Sequence, residues 1–108
     1  LWDYLYVTDA AEAVYLAGQT PGATGIFNLG SGRVEMICRI VEHIRNVIDP
    51  ALPLGFGEVP YRDDQVMHLQ AKIDRLQASV GWRPNVMLDE GLKQTVNWYR
   101  KHAQRYTI

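Results

Sequence analysis

The most constraining feature of this chain is an amphipathic segment in its first half. Apolar residues recur there at a helical spacing, while charged side chains occupy the opposite side. The apolar positions are Ile37, Ile40, Val41, Ile44, Val47 and Ile48, and the polar ones are Glu42, His43 and Arg45. A period of about 3.6 residues predicts a helix, which Asp49-Pro50 ends and whose apolar face must be covered by another element.

Strand and helix signals alternate before this segment. Aromatic and β-branched residues at positions 4–7 predict a strand, and positions 25–29 predict a second, short buried strand. Asp9 precedes apolar residues at helical spacing, and Glu12 follows it in the manner of a capping box. We therefore expect a helix from Asp9 to about Gly18.

Two further helices are predicted in the second half. One covers about residues 73–80, with Gly81 as its C-terminal cap, and the other covers about residues 89–104. Together these signals indicate an α/β chain in which a few short strands pack with about four helices. We expect a single compact lobe over residues 1–108.

Composition excludes several classes of partner. Eleven basic and 12 acidic residues give a net charge of −1, and the basic ones are scattered, so nucleic acid and anionic membranes are poor partners. No apolar run approaches the ~20 residues of a membrane span. The single cysteine, Cys38, cannot form an internal disulfide, and its apolar neighbours predict a buried thiol. These features favour a soluble protein of the reducing cytoplasm.

The sequence contains a glycine pair that could hold a phosphate. Gly30-Ser31-Gly32 follows a predicted strand and precedes a helix, but Glu35 stands where a dinucleotide-binding loop needs its third glycine. A structural turn is therefore favoured over nucleotide binding. The three histidines lack metal-ligand spacing, so no metal site is predicted.

Arg62 is the most interesting cation. It follows Pro60-Tyr61 and lies before the apolar pair Val66-Met67, so it is expected on a loop that could point into a cleft. From there its guanidinium could bind two phosphate oxygens. By chemistry alone, a solvated surface arginine remains the favoured interpretation. Trp82, Trp98 and Tyr99 are likewise better explained as packing residues than as ligand-stacking ones.

An ordered series of motifs resembles a known family. The motifs are Asp3-Tyr4-Leu5-Tyr6-Val7-Thr8-Asp9-Ala10-Ala11-Glu12-Ala13, Phe27-Asn28-Leu29-Gly30-Ser31-Gly32, Tyr61-Arg62, Gly81-Trp82-Arg83-Pro84 and Glu90-Gly91-Leu92. Taken in order, they resemble the C-terminal third of the extended short-chain dehydrogenases/reductases, and more narrowly the NAD-dependent epimerase/dehydratase family.

The resemblance implies that the complete enzyme has two parts with different ligands. Family members join a Rossmann domain that binds NAD or NADP to a smaller lobe that holds a nucleoside diphosphate sugar. Their chemistry uses a Tyr-x-x-x-Lys pair and a glycine-rich loop, neither of which occurs in these 108 residues. We therefore expect the Rossmann half, roughly 200 residues, to precede Leu1. No cofactor and no turnover are expected for this chain alone.

Three residues carry the implied substrate site. Arg62 matches the family arginine that contacts the diphosphate, and Tyr61 lies beside it. Trp2 stands where many members have a second phosphate-binding arginine. Asp63-Asp64 replaces the usual Pro-Gly and adds negative charge beside the expected diphosphate. The resemblance leaves epimerase, dehydratase and reductase open, together with the choice of nucleotide and sugar.

Two functions are weighed. The chain is either the sugar-nucleotide-binding part of such an enzyme, or a non-catalytic module that self-associates through the apolar area that an absent Rossmann domain would cover. A homo-oligomer is expected in either case.

Overall fold

The computed structural model describes residues 1–106. Two short strands, β1 (Trp2–Asp3) and β2 (Val34–Glu35), pair antiparallel with Trp2 opposite Glu35 and Asp3 opposite Val34. A parallel bridge joins Trp2 to Leu69, so residues 66–71 run alongside β1. The strand positions place the only sheet of the described chain next to the loop that carries Tyr61 and Arg62.

Four α-helices accompany this sheet within the described residues. They are α1 (Val7–Gln19), α2 (Ile37–Ile48), α3 (Asp74–Val80) and α4 (Leu88–His102), with a 3₁₀ turn at Ala103–Tyr106. The α/β prediction with about four helices is thus confirmed. The predicted bounds of α2 are confirmed, and α3 ends as predicted at Gly81, whose φ of 71° lies in the left-handed region that glycine tolerates.

Both predicted strands were wrong. Residues 4–6 and 25–29 have no strand partner, and β1 and β2 lie elsewhere. The capping box was also wrong, because α1 begins at Val7 and places Asp9 inside the first turn. The Asp9 carboxylate accepts hydrogen bonds from a distant loop instead of capping its own helix. Local propensity cannot identify a strand whose only partner is remote in sequence.

The core is small and lies between α1 and α3. Its buried members are Ala13, Ile73, Leu76 and Trp82, against which Leu5, Leu16, Phe27, Ala71 and Val80 pack. Trp82 is 1% exposed, which confirms its predicted packing role. A second contact joins α2 to α4, where Ile40 and Val96 are buried.

Several residues predicted to be buried are exposed. Cys38 and Ile37 face a surface groove, because α4 covers only the other part of the α2 apolar face. Trp98 and Tyr99 are 43% and 52% exposed and pack against each other with their rings 5.3 Å apart. The predictions of a buried Cys38 and of core positions for Trp98 and Tyr99 were therefore wrong.

The chain carries more surface than a compact domain of its size. Its radius of gyration is 16.8 Å, compared with about 13 Å for a compact chain of this length. Its accessible surface is 8274 Å², about 2,200 Å² more than the ~6,100 Å² typical of a 12.3 kDa monomer. That the chain is one compact lobe over residues 1–108 stays a prediction. None of the helices among the described residues is both long and apolar enough to span a bilayer.

Candidate functional site

A groove brings two of the three predicted site residues together. We call it the Trp2–Tyr61 groove; its volume is 330 Å³. It lies between β1, the start of α2 and the loop before residue 69. The residues that line it are Leu1, Trp2, Met36, Ile37, Cys38, Tyr61, Gln65, Val66 and Met67. Most of these side chains are apolar or aromatic, as is usual for a small-molecule site.

Trp2 is held in this groove by backbone pairing and by its own indole. β1 pairs with β2 on one side, and the Asp3 N–H donates to the Leu69 carbonyl at 2.9 Å on the other. The Trp2 Nε1–H donates to the Val66 carbonyl at 2.9 Å. The indole therefore ties β1 to the segment that follows the Arg62 loop, and leaves part of its ring available to a ligand.

Tyr61 and Arg62 both project into solvent. Tyr61 is 77% exposed and lines the groove, whereas Arg62 does not. Arg62 Nε lies 3.2 Å from Asp64 Oδ1, and both side chains are more than three-quarters exposed. An exposed ion pair of this kind contributes about 0–1 kcal/mol, so an incoming anion can replace it. The structure thus brings Trp2 and Tyr61 together and leaves Arg62 at the groove's edge.

Asp3 organises the loop that resembles a phosphate cradle. Its Oδ1 accepts from the Ser31 N–H at 2.7 Å and from Ser31 Oγ at 2.6 Å. Its Oδ2 accepts from the Gly32 N–H at 2.9 Å and from the Ala71 N–H at 3.2 Å. The loop's N–H groups therefore bind a carboxylate of the chain itself, which supports the structural interpretation of Gly30-Ser31-Gly32.

Asp9 has a similar structural role at the other end of the core. Its carboxylate Oδ2 accepts the N–H groups of Asn85 and Val86 at 2.9 and 2.8 Å, and its backbone carbonyl accepts Trp82 Nε1–H at 3.0 Å. Asp9 is 2% exposed, so these bonds compensate its loss of hydration. The sequence did not reveal these roles of Asp3 and Asp9; the occurrence of both in one family-like motif was the available signal.

A second, smaller groove adjoins the first. We call it the Arg33 groove; it has a volume of 170 Å³ and shares Trp2 with the Trp2–Tyr61 groove. Its lining residues are Trp2, Tyr4, Ser31, Arg33, Val34, Glu35, Val86, Met87 and Leu88. Sequence analysis did not single out Arg33, because its position depends on a strand pairing that the sequence does not reveal.

No group of three or more His, Cys, Asp or Glu side chains in the described part of the chain is arranged to hold a metal ion. Asp63 and Asp64 do not face each other across a cleft: Asp64 pairs with Arg62, and both lie on an exposed loop. The two grooves combine aromatic side chains with nearby arginines, an arrangement suited to a ligand with an aromatic and an anionic part. Cys38 also lines the Trp2–Tyr61 groove, and Glu35 lines the Arg33 groove.

Comparison with known proteins identifies relatives of this chain. No family model matches it. It is 30% identical over 98 residues to a dTDP-4-dehydro-6-deoxyglucose reductase of Escherichia coli, covering 91% of this chain and 30% of that protein. It is 31% identical over 110 residues to a dTDP-D-glucose 4,6-dehydratase of Mus musculus, covering 96% and 30%. The chain thus spans about a third of the length of these relatives.

Solved structures agree with this similarity. A UDP-glucose 4-epimerase of Thermotoga maritima, solved with UDP-glucose, is 29% identical with a TM-score of 0.80, covering 94% of this chain and 32% of that one. A UDP-glucose 4-epimerase of Bifidobacterium longum, solved with NAD⁺ and UDP, is 19% identical with a TM-score of 0.80, covering 96% and 31%. The second match shows the fold alone.

The ordered motifs, the sequence relatives and the fold all indicate the expected family. In each comparison the match extends over more than nine-tenths of this chain. The sequence relatives of this chain are thus members of the NAD-dependent epimerase/dehydratase family of the extended short-chain dehydrogenases/reductases, and its structural neighbours agree.

Proposed function

We propose that this chain is the C-terminal, sugar-nucleotide-binding part of an NAD(P)-dependent epimerase, dehydratase or reductase acting on a nucleoside diphosphate sugar. NAD or NADP would belong to the full-length enzyme and would be held outside these residues. The relatives act on dTDP- and UDP-linked sugars by their names, which supports this substrate class. We place such an enzyme in the cytoplasm.

The proposal rests on one observation: Trp2 and Tyr61 line the same groove, and Arg62 lies at its edge. These residues lie about 60 positions apart in the sequence, yet the bridge from Trp2 to Leu69 brings their segments together. Aromatic faces can stack on a nucleobase or a sugar, and a guanidinium can bind a diphosphate bidentately. We assign Trp2, Tyr61 and Arg62 to substrate binding.

Asp64 competes with the substrate phosphates for Arg62. Arg62 must release Asp64 before it can bind a phosphate, and the exposed pair contributes at most about 1 kcal/mol. A charge-assisted hydrogen bond contributes about 1.5–3 kcal/mol, so exchange of the carboxylate for a phosphate favours binding. The net contribution of Arg62 is therefore about 1–2 kcal/mol, or roughly a 5- to 30-fold change in affinity.

Tryptophan fluorescence tests the proposal directly. Trp82 is buried and Trp98 lies far along α4, so a Trp98→Phe background leaves Trp2 as the solvent-accessible reporter. Titration with UDP-, dTDP-, CDP- and GDP-sugars should change its emission. Arg62→Ala should weaken binding, whereas Asp64→Asn should strengthen it by freeing Arg62. Arg83→Ala removes an exposed arginine outside both grooves and serves as the matched control.

Equal affinities for the Arg62, Asp64 and Arg83 variants would contradict the assignment of Arg62. Absence of any fluorescence change with all four sugar nucleotides would contradict the binding function itself. The chain mixed with NAD(P) and a sugar nucleotide should show no turnover, because a Tyr-x-x-x-Lys pair is absent from its sequence. Measurable turnover by these residues alone would refute the assignment of catalysis to another part of the enzyme.

A second function, assembly without catalysis, is favoured by the large accessible surface. The excess of about 2,200 Å² exceeds the ~800 Å² that each partner buries in a standard interface. An apolar groove of 430 Å³ lies between α2 and α4, and a second copy could cover it. Its residues include Ile44, Ile48, Leu92, Val96 and Tyr99. Sedimentation should then show a dimer that Ile48→Asp dissociates; a monomer at high concentration would exclude it.

A further inference from the structure

Arg33 is a cation without an anionic partner in the described chain. Its guanidinium Nη1 lies 3.8 Å from the Met87 sulfur, and no carboxylate of the described residues lies within ion-pair distance. A thioether is a weak acceptor, so most of the guanidinium's donors are free to bind a ligand. Arg62, in contrast, is already paired with Asp64.

The strand pairing directs Arg33 into the groove that contains Trp2. Trp2 faces Glu35 in the sheet, and Tyr4 and Arg33 directly adjoin the ends of the two strands, where a continued register would set them opposite each other on the face of Trp2. All four side chains line the Arg33 groove. Because Trp2 also lines the Trp2–Tyr61 groove, a ligand that contacts Tyr61 can extend past the indole to Arg33.

The backbone of Arg33 is held in place before any ligand arrives. Its N–H donates to Ser31 Oγ at 3.1 Å, and Ser31 Oγ in turn donates to Asp3 Oδ1 at 2.6 Å. Asp3 is itself bonded to Gly32 and Ala71. An arginine on a fixed backbone loses less conformational entropy on binding than one on a free loop, which is the situation of Arg62.

We propose that Arg33 is an anion-binding residue of the substrate site, which contacts the diphosphate of the sugar nucleotide together with Arg62. This rests on the proposed function, because the groove is assigned the same ligand. Two arginines on different segments then bind one diphosphate, and each guanidinium can bind two of the phosphate oxygens in a bidentate fashion. Tyr4 lines the same groove and is 37% exposed. Its hydroxyl has no hydrogen-bond partner among the described residues.

Glu35 opposes the anion and provides a second test. It lines the Arg33 groove, and its Oε1 accepts the Met36 N–H at 2.8 Å. The carboxylate therefore stays near the proposed phosphate position and repels it. Glu35→Gln keeps an oxygen for Met36 and removes the charge, so it should strengthen diphosphate binding. A purely structural role for this part of the sheet would not produce opposite effects at Arg33 and Glu35.

The experiment compares the wild-type chain with Arg33→Ala, Arg33→Lys, Glu35→Gln and the control Arg83→Ala. Isothermal titration calorimetry measures the Kd of UDP and dTDP, of the nucleosides uridine and thymidine, and of inorganic pyrophosphate. We expect Arg33→Ala to raise the nucleotide Kd about 10- to 100-fold and Arg33→Lys to raise it less. The nucleoside Kd should not change. Circular dichroism at each step verifies that the variants stay folded.

The outcomes separate this inference from the proposed function. Nucleotide binding that responds to Arg62→Ala but not to Arg33→Ala would overturn the role of Arg33 and leave the proposed function standing. A wild-type chain that binds no nucleotide would overturn both. Pyrophosphate binding as tight as that of UDP and dTDP, and equally weakened by Arg33→Ala, would show a free-anion site and would overturn the assignment to a sugar nucleotide.

Discussion

Replacing Asp3 by asparagine tests whether one carboxylate holds the two-stranded sheet to its neighbouring loops. The Asp3 carboxylate accepts four hydrogen bonds, two on each oxygen, from Ser31, Gly32 and Ala71. An asparagine side chain has one acceptor oxygen. With that oxygen toward the Gly32 and Ala71 N–H groups, the NH₂ group can donate to Ser31 Oγ but faces the Ser31 N–H. One hydrogen bond is therefore lost even in the better orientation of the amide.

The magnitude follows from these four bonds. An unsatisfied buried donor costs about 1–3 kcal/mol, and Asp3 is only half-buried, so the lost bond is taken at about 1 kcal/mol. The three remaining bonds change from charge-assisted to neutral, which loses about 0.5 kcal/mol each. Asp3→Asn should thus destabilise the chain by about 2.5 kcal/mol and lower its Tm by roughly 12 °C.

Urea unfolding followed by circular dichroism measures this loss. Asp49→Asn is the matched control, because Asp49 is exposed and its Oδ1 accepts a single N–H, from Ala51 at 2.9 Å. An asparagine retains that bond, so we expect a change below about 0.5 kcal/mol. If Asp3→Asn unfolds at the same urea concentration as Asp49→Asn, the four hydrogen bonds do not stabilise the fold as argued.

The remaining predictions concern packing and backbone conformation, and each is measured by thermal or urea unfolding. Gly30→Ala places a Cβ 2.5 Å from the Ala71 Cβ, so it should destabilise by about 1–3 kcal/mol, and adding Ala71→Gly should restore part of the loss; no restoration would contradict the clash. Trp82→Ala empties the core and should cost about 3–5 kcal/mol, so a loss below 1 kcal/mol would contradict its central role. Gly18→Ala in α1 has open space and should stabilise by about 0.5–1 kcal/mol, whereas Gly81→Ala, at φ 71°, should destabilise by about 1 kcal/mol; equal effects would refute the conformational argument.

The helices were predictable because their signals are local. The apolar spacing of α2 predicted its bounds from Ile37 to Ile48, and Gly81 predicted the end of α3. In both cases the residues that form the element also contain the signal. The start of α1 was missed because its first turn contains Asp9, whose partners Asn85 and Val86 lie more than 70 residues away.

The candidate site was predictable only in part. The motif resemblance predicted Trp2, Tyr61 and Arg62 as site residues, and the structure places the first two in one groove. Arg33 was not predicted as a site residue, because nothing in its local sequence distinguishes it from other surface arginines. Its position beside Trp2 follows from the register of β1 and β2, two strands of two residues each that carry no periodic signal.

Neighbouring residues and an ordered set of short motifs were enough to establish the helices, the charge balance and the family resemblance. The partners of the polar residues, in contrast, depend on how distant parts of the chain fold together. Asp3 reaches partners 28 to 68 residues away, and the same contacts hold Arg33 next to Trp2. A hydrogen bond between distant residues depends on the path of the whole chain, so no local pattern can reveal it.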